Sequence, residues 1–351
     1  MKTMRVLIAM VFGLAFRAGA EELAAQAVQK TEPVALSTVS ATNRAPLSSG
    51  DYLVIDISGG SSTSRYAKSY LEAVPVGGWT EEFKTTRMVF RRIPAAPGTV
   101  VMGSPEDETG RSPDEVQHEV TLTNEFFIGV FEVTQRQWEL VMGDRPSYFN
   151  NATFYATRPV EQVSYEDIRG DDDGAMWPAT NTVDRSSFLG RLRRKTALPF
   201  DLPTEAQWEF ACRAGTTTAL NSGHTPTSVD SDQHLDTVAR YWSNSRFQLR
   251  QGCPPSAATA MVGSYLPNEW GLYDLHGNVW EWCLDWYGKY PGAGTNPVGA
   301  VSGPFRVLRG GSWSYGASYC RSAFRYYYGS QFTSTTLNCY DFGFRVSLTL
   351  P

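Results

Sequence analysis

The chain has 351 residues, 42% of them hydrophobic, and a formal net charge of -5 spread without long runs of one sign. That content can build a globular core, and the mildly acidic balance gives no electrostatic footprint for nucleic acid. Aromatic residues at 13%, beside 31 glycines and 20 prolines, point to a loop-rich domain rather than a helical one.

Lys2 and Arg5 precede an apolar run from Val6 to Phe16, and Ala18-Gly19-Ala20 follows it. These are the three parts of a secretory signal, so residues 1–20 are expected to be a signal peptide and the protein to be secreted, periplasmic or at the cell surface. The run falls short of the roughly 20 apolar residues that cross a bilayer, so no membrane span is expected after cleavage. A buried strand or helix is the competing reading, which Arg17 beside the cleavage site keeps open. Residues 21 to 50, rich in Ala, Thr, Ser and Gln, suit a flexible spacer. Strand patterns over 52–58 and 84–92 then suggest a small annex, giving a spacer and annex over 21–85 and a main domain over 86–351.

Residues 120 to 133 read as strand, and Thr134 caps a helix that turns Trp138, Leu140 and Val141 inward. Asp171-Asp172-Asp173 lacks the alternating ligands and distal Glu of an EF-hand and reads as a solvated loop. Thr204-Glu205-Ala206-Gln207 has the form of a capping box, which starts a helix at Glu205 that buries Trp208, Phe210 and Ala211 and ends near Gly215. Residues 221 to 255 are a polar excursion in which only Tyr241 and Trp242 look buried. From Gly271 to Trp286, the tryptophans 280, 282 and 286 match no clean helical or strand period, so an irregular buried loop is expected. A cation would suit the carbonyls and carboxylates of such a loop. Strands are expected over 306–309 and 343–348.

The four histidines, 118, 224, 234 and 276, show no ligand spacing for an iron centre, and no Gly-x-Ser-x-Gly turn offers a serine nucleophile. Five cysteines in an exported chain imply disulfides with at least one thiol left over; a buried free thiol is the alternative for each.

The words GLYDLHGNVWEW, RVLRGGSW, CRSAFR and GFRV, with GSPEDE, FFIGVFEVTQRQW and LPTEAQWEFACRAG upstream, resemble the formylglycine-generating enzyme (sulfatase-modifying factor) family over about residues 90 to 348. The resemblance implies a single α+β domain of the C-type-lectin-like, formylglycine-generating type with little regular secondary structure. It implies a structural calcium site at Asp274, Gly277, Val279 and Glu281; the plain alternative is that the two carboxylates accept backbone N–H groups. A second calcium site of the family is not expected, because Arg240 stands where an acidic or amide ligand belongs. The resemblance also implies a Cys212–Cys320 disulfide.

Ser312 and Trp280 match active-site positions of the family, whose aerobic members hold copper(I) on two cysteines just after Gly-Gly-Ser. Here Trp313-Ser314-Tyr315-Gly316-Ala317-Ser318-Tyr319 follows, with no thiol before Cys320. Soft Cu(I) needs soft ligands, so copper is not expected, and a formylglycine-generating oxidoreductase is the secondary reading. The primary one is a non-catalytic binding protein for a protein or carbohydrate ligand.

The tail is also similar to variable proteins of diversity-generating retroelements. Tyr315, Tyr319, Phe324, Tyr326, Tyr327, Tyr328, Phe332 and Tyr340 stand where related chains carry asparagines, and each type is reached from an Asn codon by replacing adenines. Tyrosine among small residues makes adaptable contact surfaces, so these eight are the candidate ligand-binding residues. Family drift with aromatic packing is the rival explanation. It predicts that Tyr326, Tyr327 and Tyr328 are buried or scattered over opposite faces, whereas display predicts one exposed concave face above Gly310, Gly311, Arg321, Arg325, Phe344 and Arg345, with the arginines bridging buried carboxylates and carbonyls.

Overall fold

The computed structural model describes residues 50–245, 258–330 and 340–351. The expected signal peptide, the spacer up to residue 49, Cys253, Phe332 and Cys339 lie outside the described residues.

Two sheets organise the chain. In the first, five antiparallel strands run in the order Ser347–Thr349, Phe126–Gly129, Arg87–Ile93, Tyr52–Asp56, Ala67–Leu71. The pairing of Tyr52–Asp56 with Arg87–Ile93 crosses the expected boundary at residue 85: the annex supplies two of the five strands of this sheet. Its side chains alternate between two cores. Leu53 and Ile55 join the cluster of Phe90, Trp138 and Phe344, whereas Tyr52 and Val54 join that of Val89, Ile128 and Trp208.

The second sheet runs in the order Tyr326–Tyr328, Arg306–Arg309, Trp280–Trp286, Phe342–Gly343, with the last pair parallel. The tryptophan-rich stretch is therefore not an irregular loop from residue 280 on; it is a central strand. Trp280, Trp282 and Leu284 face one core while Cys283 faces the other. With both faces covered, polar and apolar residues are buried alike, and the polar-out alternation that marks a half-exposed strand disappears.

Three helices brace the sheets. Gln135–Met142 and Glu205–Arg213 each start from a capping box, at Thr134 and Thr204, and Phe188–Thr196 starts from Ser187. The helix from Glu205 buries Trp208 and Ala211 as expected, but Phe210 is only half-buried. The expected 120–133 strand is broken into His118–Thr121 and Phe126–Gly129. In the polar excursion Tyr241 is buried while Trp242 is 38% exposed, and Leu235, Val238, Ala239 and Arg240 are buried beside them. Among the described residues no helix is long and apolar enough to cross a membrane.

Candidate functional site

The end of the Arg306–Arg309 strand makes a tight turn through Gly310 and Gly311, at φ +95° and +79°. Both angles lie in the left-handed region that glycine tolerates best. Gly311 has a second constraint, since a Cβ there would lie 2.6 Å from Cys320 Sγ. The Gly310 carbonyl accepts from the Gly277 N–H at 2.7 Å, and Trp313 N–H donates to the Asn278 carbonyl at 2.9 Å. This lashes the turn to the tryptophan strand and sets Ser312 beside Asp341. The Ser312 and Ser314 hydroxyls both donate to Asp341 Oδ2, at 2.8 and 2.9 Å. Burial nevertheless raises the Asp341 carboxyl above its usual value, against the pull of the two serines.

Trp280, fully buried, is the hub of an aromatic cluster. Tyr326 stacks on it at 4.9 Å, and Tyr315 and Phe324 meet it at 5.2 and 5.9 Å. Tyr319 bridges Tyr315 and Phe324, and Tyr328 packs on Phe342. The Trp280 indole N–H finds no acceptor among the described residues. Across the Ser312–Asp341 pair a second cluster rises: Tyr148, 58% exposed, stacks on Tyr340 at 4.2 Å, and Phe149 meets Trp313 edge-on at 5.3 Å.

Of the eight candidate ligand residues, Tyr315, Tyr319, Phe324, Tyr326 and Tyr328 pack half-buried against the same core, and Tyr340 joins the Tyr148 wall. Tyr326, Tyr327 and Tyr328 are divided over opposite faces of their strand, the outcome expected of family drift rather than of display by all three, and Tyr327 leaves the set. On a strand its side chain points opposite to its neighbours, and it stacks on Tyr287 at 4.1 Å and Phe305 at 5.1 Å.

The Tyr148 wall and the group that holds it were missed in the sequence. Glu161, fully buried, accepts from the Phe149 and Tyr148 N–H groups at 2.9 and 3.2 Å. Burial pushes its carboxyl to about 8, outweighing those two hydrogen bonds, with a smaller push from Asp341. Glu161 is 12 residues from Phe149 in the sequence, so this pairing is visible only in three dimensions.

Beneath the cluster the arginines behave as expected. Arg321 reaches Glu108 and Glu115 at 2.6–2.8 Å, Arg325 forks onto Glu205 at 2.7 and 2.8 Å, and Arg345 forks onto Glu281 at 2.6 Å. Planar bidentate pairing of this kind fixes orientation as well as charge.

The Cys212–Cys320 disulfide is not present: both thiols are free and buried, as is Cys283. The His276 ring touches the Cys212 thiol on one side and the Cys320 backbone carbonyl on the other. Its Nε2 accepts from Asn221 N–H at 3.0 Å and stands 3.9 Å from Cys212 Sγ. Nδ1 therefore carries the proton and donates to the Cys320 carbonyl at 2.6 Å. Burial lowers His276 to about 4, so the ring is neutral. Cys212 Sγ instead contacts Ser322 Oγ at 3.5 Å.

At the candidate calcium residues the donors divide. Asp274, buried at φ +59°, accepts from Gly263 N–H at 2.6 Å through Oδ2, while its buried Oδ1 has no partner among the described residues. Burial lifts Asp274 to about 6 against the charges of Arg345 and Lys84, and Glu132 is raised well above its usual value by burial and by the charges of Asp274 and Glu281, against Arg345. An orphaned carboxylate oxygen beside a second buried acid fits a hard cation at Asp274. The Glu281 carboxylate does not fit as a ligand, because Arg345 and the Trp208 indole N–H at 2.7 Å already occupy both its oxygens. Elsewhere, Asp171, Asp172 and Asp184 approach one another within 4.8 Å, but Asp184 already accepts the N–H groups of Asp172 and Gly174. A polar cleft of about 490 Å³ in the 221–236 excursion is lined by His224 and His234, whose rings stack at 3.6 Å.

The sheet pairings, the sparse helices and the lashed Gly-Gly-Ser turn define an α+β domain of C-type-lectin-like fold. The Sulfatase-modifying factor enzyme 1-like domain matches residues 80–349, and the chain belongs to that family. The chain is 29% identical over 229 residues to the chaperone protein LppX of Paenibacillus barcinonensis, an alignment covering 55% of this chain and 71% of that protein. It is 31% identical over 164 residues to the formylglycine-generating enzyme of Mus musculus, covering 46% of this chain and 43% of the enzyme. It thus spans less than half of that enzyme's length. Among solved structures, Treponema denticola variable protein 1 matches with a TM-score of 0.56 and 28% identity, over 75% of this chain and 95% of that one. PvdO from Pseudomonas aeruginosa shares the fold, at a TM-score of 0.56 and 24% identity.

Proposed function

We propose that the protein is an exported, non-catalytic binding protein that takes a protein or carbohydrate ligand on its aromatic cleft. The observation that carries this is the division of labour in residues 306–345. The fixed words are locked from below by Glu108, Glu115, Glu205 and Glu281, while Tyr315, Tyr319, Phe324, Tyr326 and Tyr328 lie half-buried around Trp280. Side chains anchored in this way can change identity without loosening the scaffold, and tyrosine offers large contact area at low entropic cost. The likeness to a Treponema denticola variable protein supports the same reading and extends it to retroelement-driven variation of the tail. Export rests on the N-terminal Lys2, Arg5 and apolar run. A structural calcium ion at Asp274, with the carbonyls of Gly277 and Val279, would neutralise the Glu132 and Asp274 carboxylates; Glu281 contributes by orienting Arg345. Copper chemistry is disfavoured because the Gly-Gly-Ser turn leads into Trp313, Ser314 and Tyr315 with no thiol pair.

Defined glycan and peptide arrays test the reading. Binding should be retained by the wild-type chain and lost in Tyr326→Ala and Tyr148→Ala, with the Tyr148→Ala melting temperature unchanged. Conversion of the cysteine in a Cys-x-Pro-x-Arg peptide to formylglycine would overturn it in favour of the oxidoreductase. A near-copy of codons 306–346 beside the gene, differing at adenines, would support the retroelement.

A further inference from the structure

Arg240 is fully buried, and its guanidinium fans out onto backbone carbonyls. Nε donates to Ala258 O at 3.0 Å, Nη1 to Asn244 O at 2.9 Å and Nη2 to Ser245 O at 2.8 Å. These oxygens come from two separate stretches, the short helix Trp242–Ser245 and the segment entering at residue 258. Convergent carbonyls from separate loops are what a hard divalent cation recruits. The surroundings are fixed independently of the arginine head. Asn278 donates its N–H to Arg240 O at 2.7 Å, and its Oδ1 accepts from Ala260 N–H at 2.8 Å. Asn244 bonds both Ala239 O and Tyr241 N–H, at 2.7 and 3.0 Å. A Cβ on Gly277 would lie 2.2 Å from Arg240 O, so the strands carrying Arg240 and Gly277 approach as closely as backbone permits.

We infer that the Arg240 guanidinium is a built-in cation holding a carbonyl cage that becomes a calcium site when the arginine is replaced by an oxygen ligand. In the wild type the cage is filled, and a metal ion entering it would face both the guanidinium charge and donors already taken. Asp at 240 would add a carboxylate to the three carbonyls, and water completes the six to eight oxygens that calcium takes. Asn would add one neutral oxygen. Lys would keep the charge but not the planar fork that serves three carbonyls together. The arginine makes this part of the fold independent of calcium supply, separately from any ion at Asp274.

Arg240→Asp, Arg240→Asn and Arg240→Lys in the full chain test this, with calcium chloride as the probe, by calorimetric stoichiometry and by melting in EGTA and in calcium. The Asp variant should melt below wild type in EGTA, bind one more equivalent of calcium than wild type, and regain stability as calcium rises. At about ten times its dissociation constant the ion should shift the folding equilibrium about tenfold. Asn should follow more weakly, and Lys should gain no equivalent. If the Asp variant fails to fold in EGTA, refolding in calcium decides: recovery only with calcium supports the inference, and failure in both overturns it. An unchanged stoichiometry, or recovery equal to that in sodium chloride of matched ionic strength, also overturns it.

Discussion

Replacing Glu161 with Gln should remove one source of pH-dependent stability at the loop that carries Tyr148. Glutamate ordinarily titrates at 4.5, and burial pushes Glu161 to about 8 in the folded protein. Between those values the folded state holds a proton that the unfolded chain has released. Raising the pH through this window therefore lowers stability, and the loss levels off above pH 8. At about 1.4 kcal/mol per pH unit, the window corresponds to about 5 kcal/mol as an order of magnitude. Glutamine cannot ionise and escapes that loss. Its amide oxygen can accept from only one of the Tyr148 and Phe149 N–H groups, a pH-independent cost of about 1–3 kcal/mol. The variant should be the less stable protein at pH 5 and the more stable one at pH 8.5. Paired urea denaturation curves at pH 5, 7 and 8.5 measure the gap, since other titrating groups cancel between the two proteins. A gap that stays constant across pH would falsify the reasoning, because it would mean Glu161 is ionised throughout and held by the two N–H groups.

Arg345→Met should cost about 3–5 kcal/mol in chemical denaturation, because it leaves Glu281 buried and unpaired; adding Glu281→Gln should restore part of that, and additive losses would argue against the fork. With Cys212 and Cys320 free, the melting temperature should be the same with and without dithiothreitol, and a reductant-sensitive transition would reinstate the bridge. Tyr327→Ala should lower the melting temperature through its lost stacking on Tyr287 and Phe305 while leaving ligand binding intact, whereas Tyr326→Ala should abolish binding; equal effects on binding would refute the assignment of opposite faces.

What was legible in the sequence was mostly local. Thr134 and Thr204 announce their helices because a capping box lies within four residues, and Arg306–Arg309 reads directly as strand. The arginines of CRSAFR and GFRV were expected to find buried carboxylates, and their type alone carried that expectation, since a buried guanidinium must be paired. The strand Trp280–Trp286 was misread because burial on both faces mixes Glu281 and Asp285 into an apolar run. The strands over 52–58 and 84–92 looked like an annex because their continuation into Phe126–Gly129 and Ser347–Thr349 is made only in space. The Cys212–Cys320 pairing came from the family resemblance and not from the local sequence, and no sequence pattern specifies that both thiols stay free while His276 takes Asn221 on one nitrogen and the Cys320 carbonyl on the other. Tyr327 follows from strand alternation, which three consecutive tyrosines already contained.

The arginines explain how a tail so rich in aromatic residues can remain ordered with little regular secondary structure. Each of Arg321, Arg325 and Arg345 joins the tail to a different upstream segment: Glu108 and Glu115, Glu205, and Glu281. Three forks in distinct directions define the path of the backbone without using the side chains between them. Removing one partner of such a pair leaves a buried charge that costs several kcal/mol, so the forks tolerate little change. The intervening tyrosines are half-buried and exchange aromatic contact mainly with one another, so their replacement costs packing but no uncompensated charge. Substitution between the forks therefore carries a smaller energetic penalty than substitution at them, which is the distribution the proposed binding surface would require.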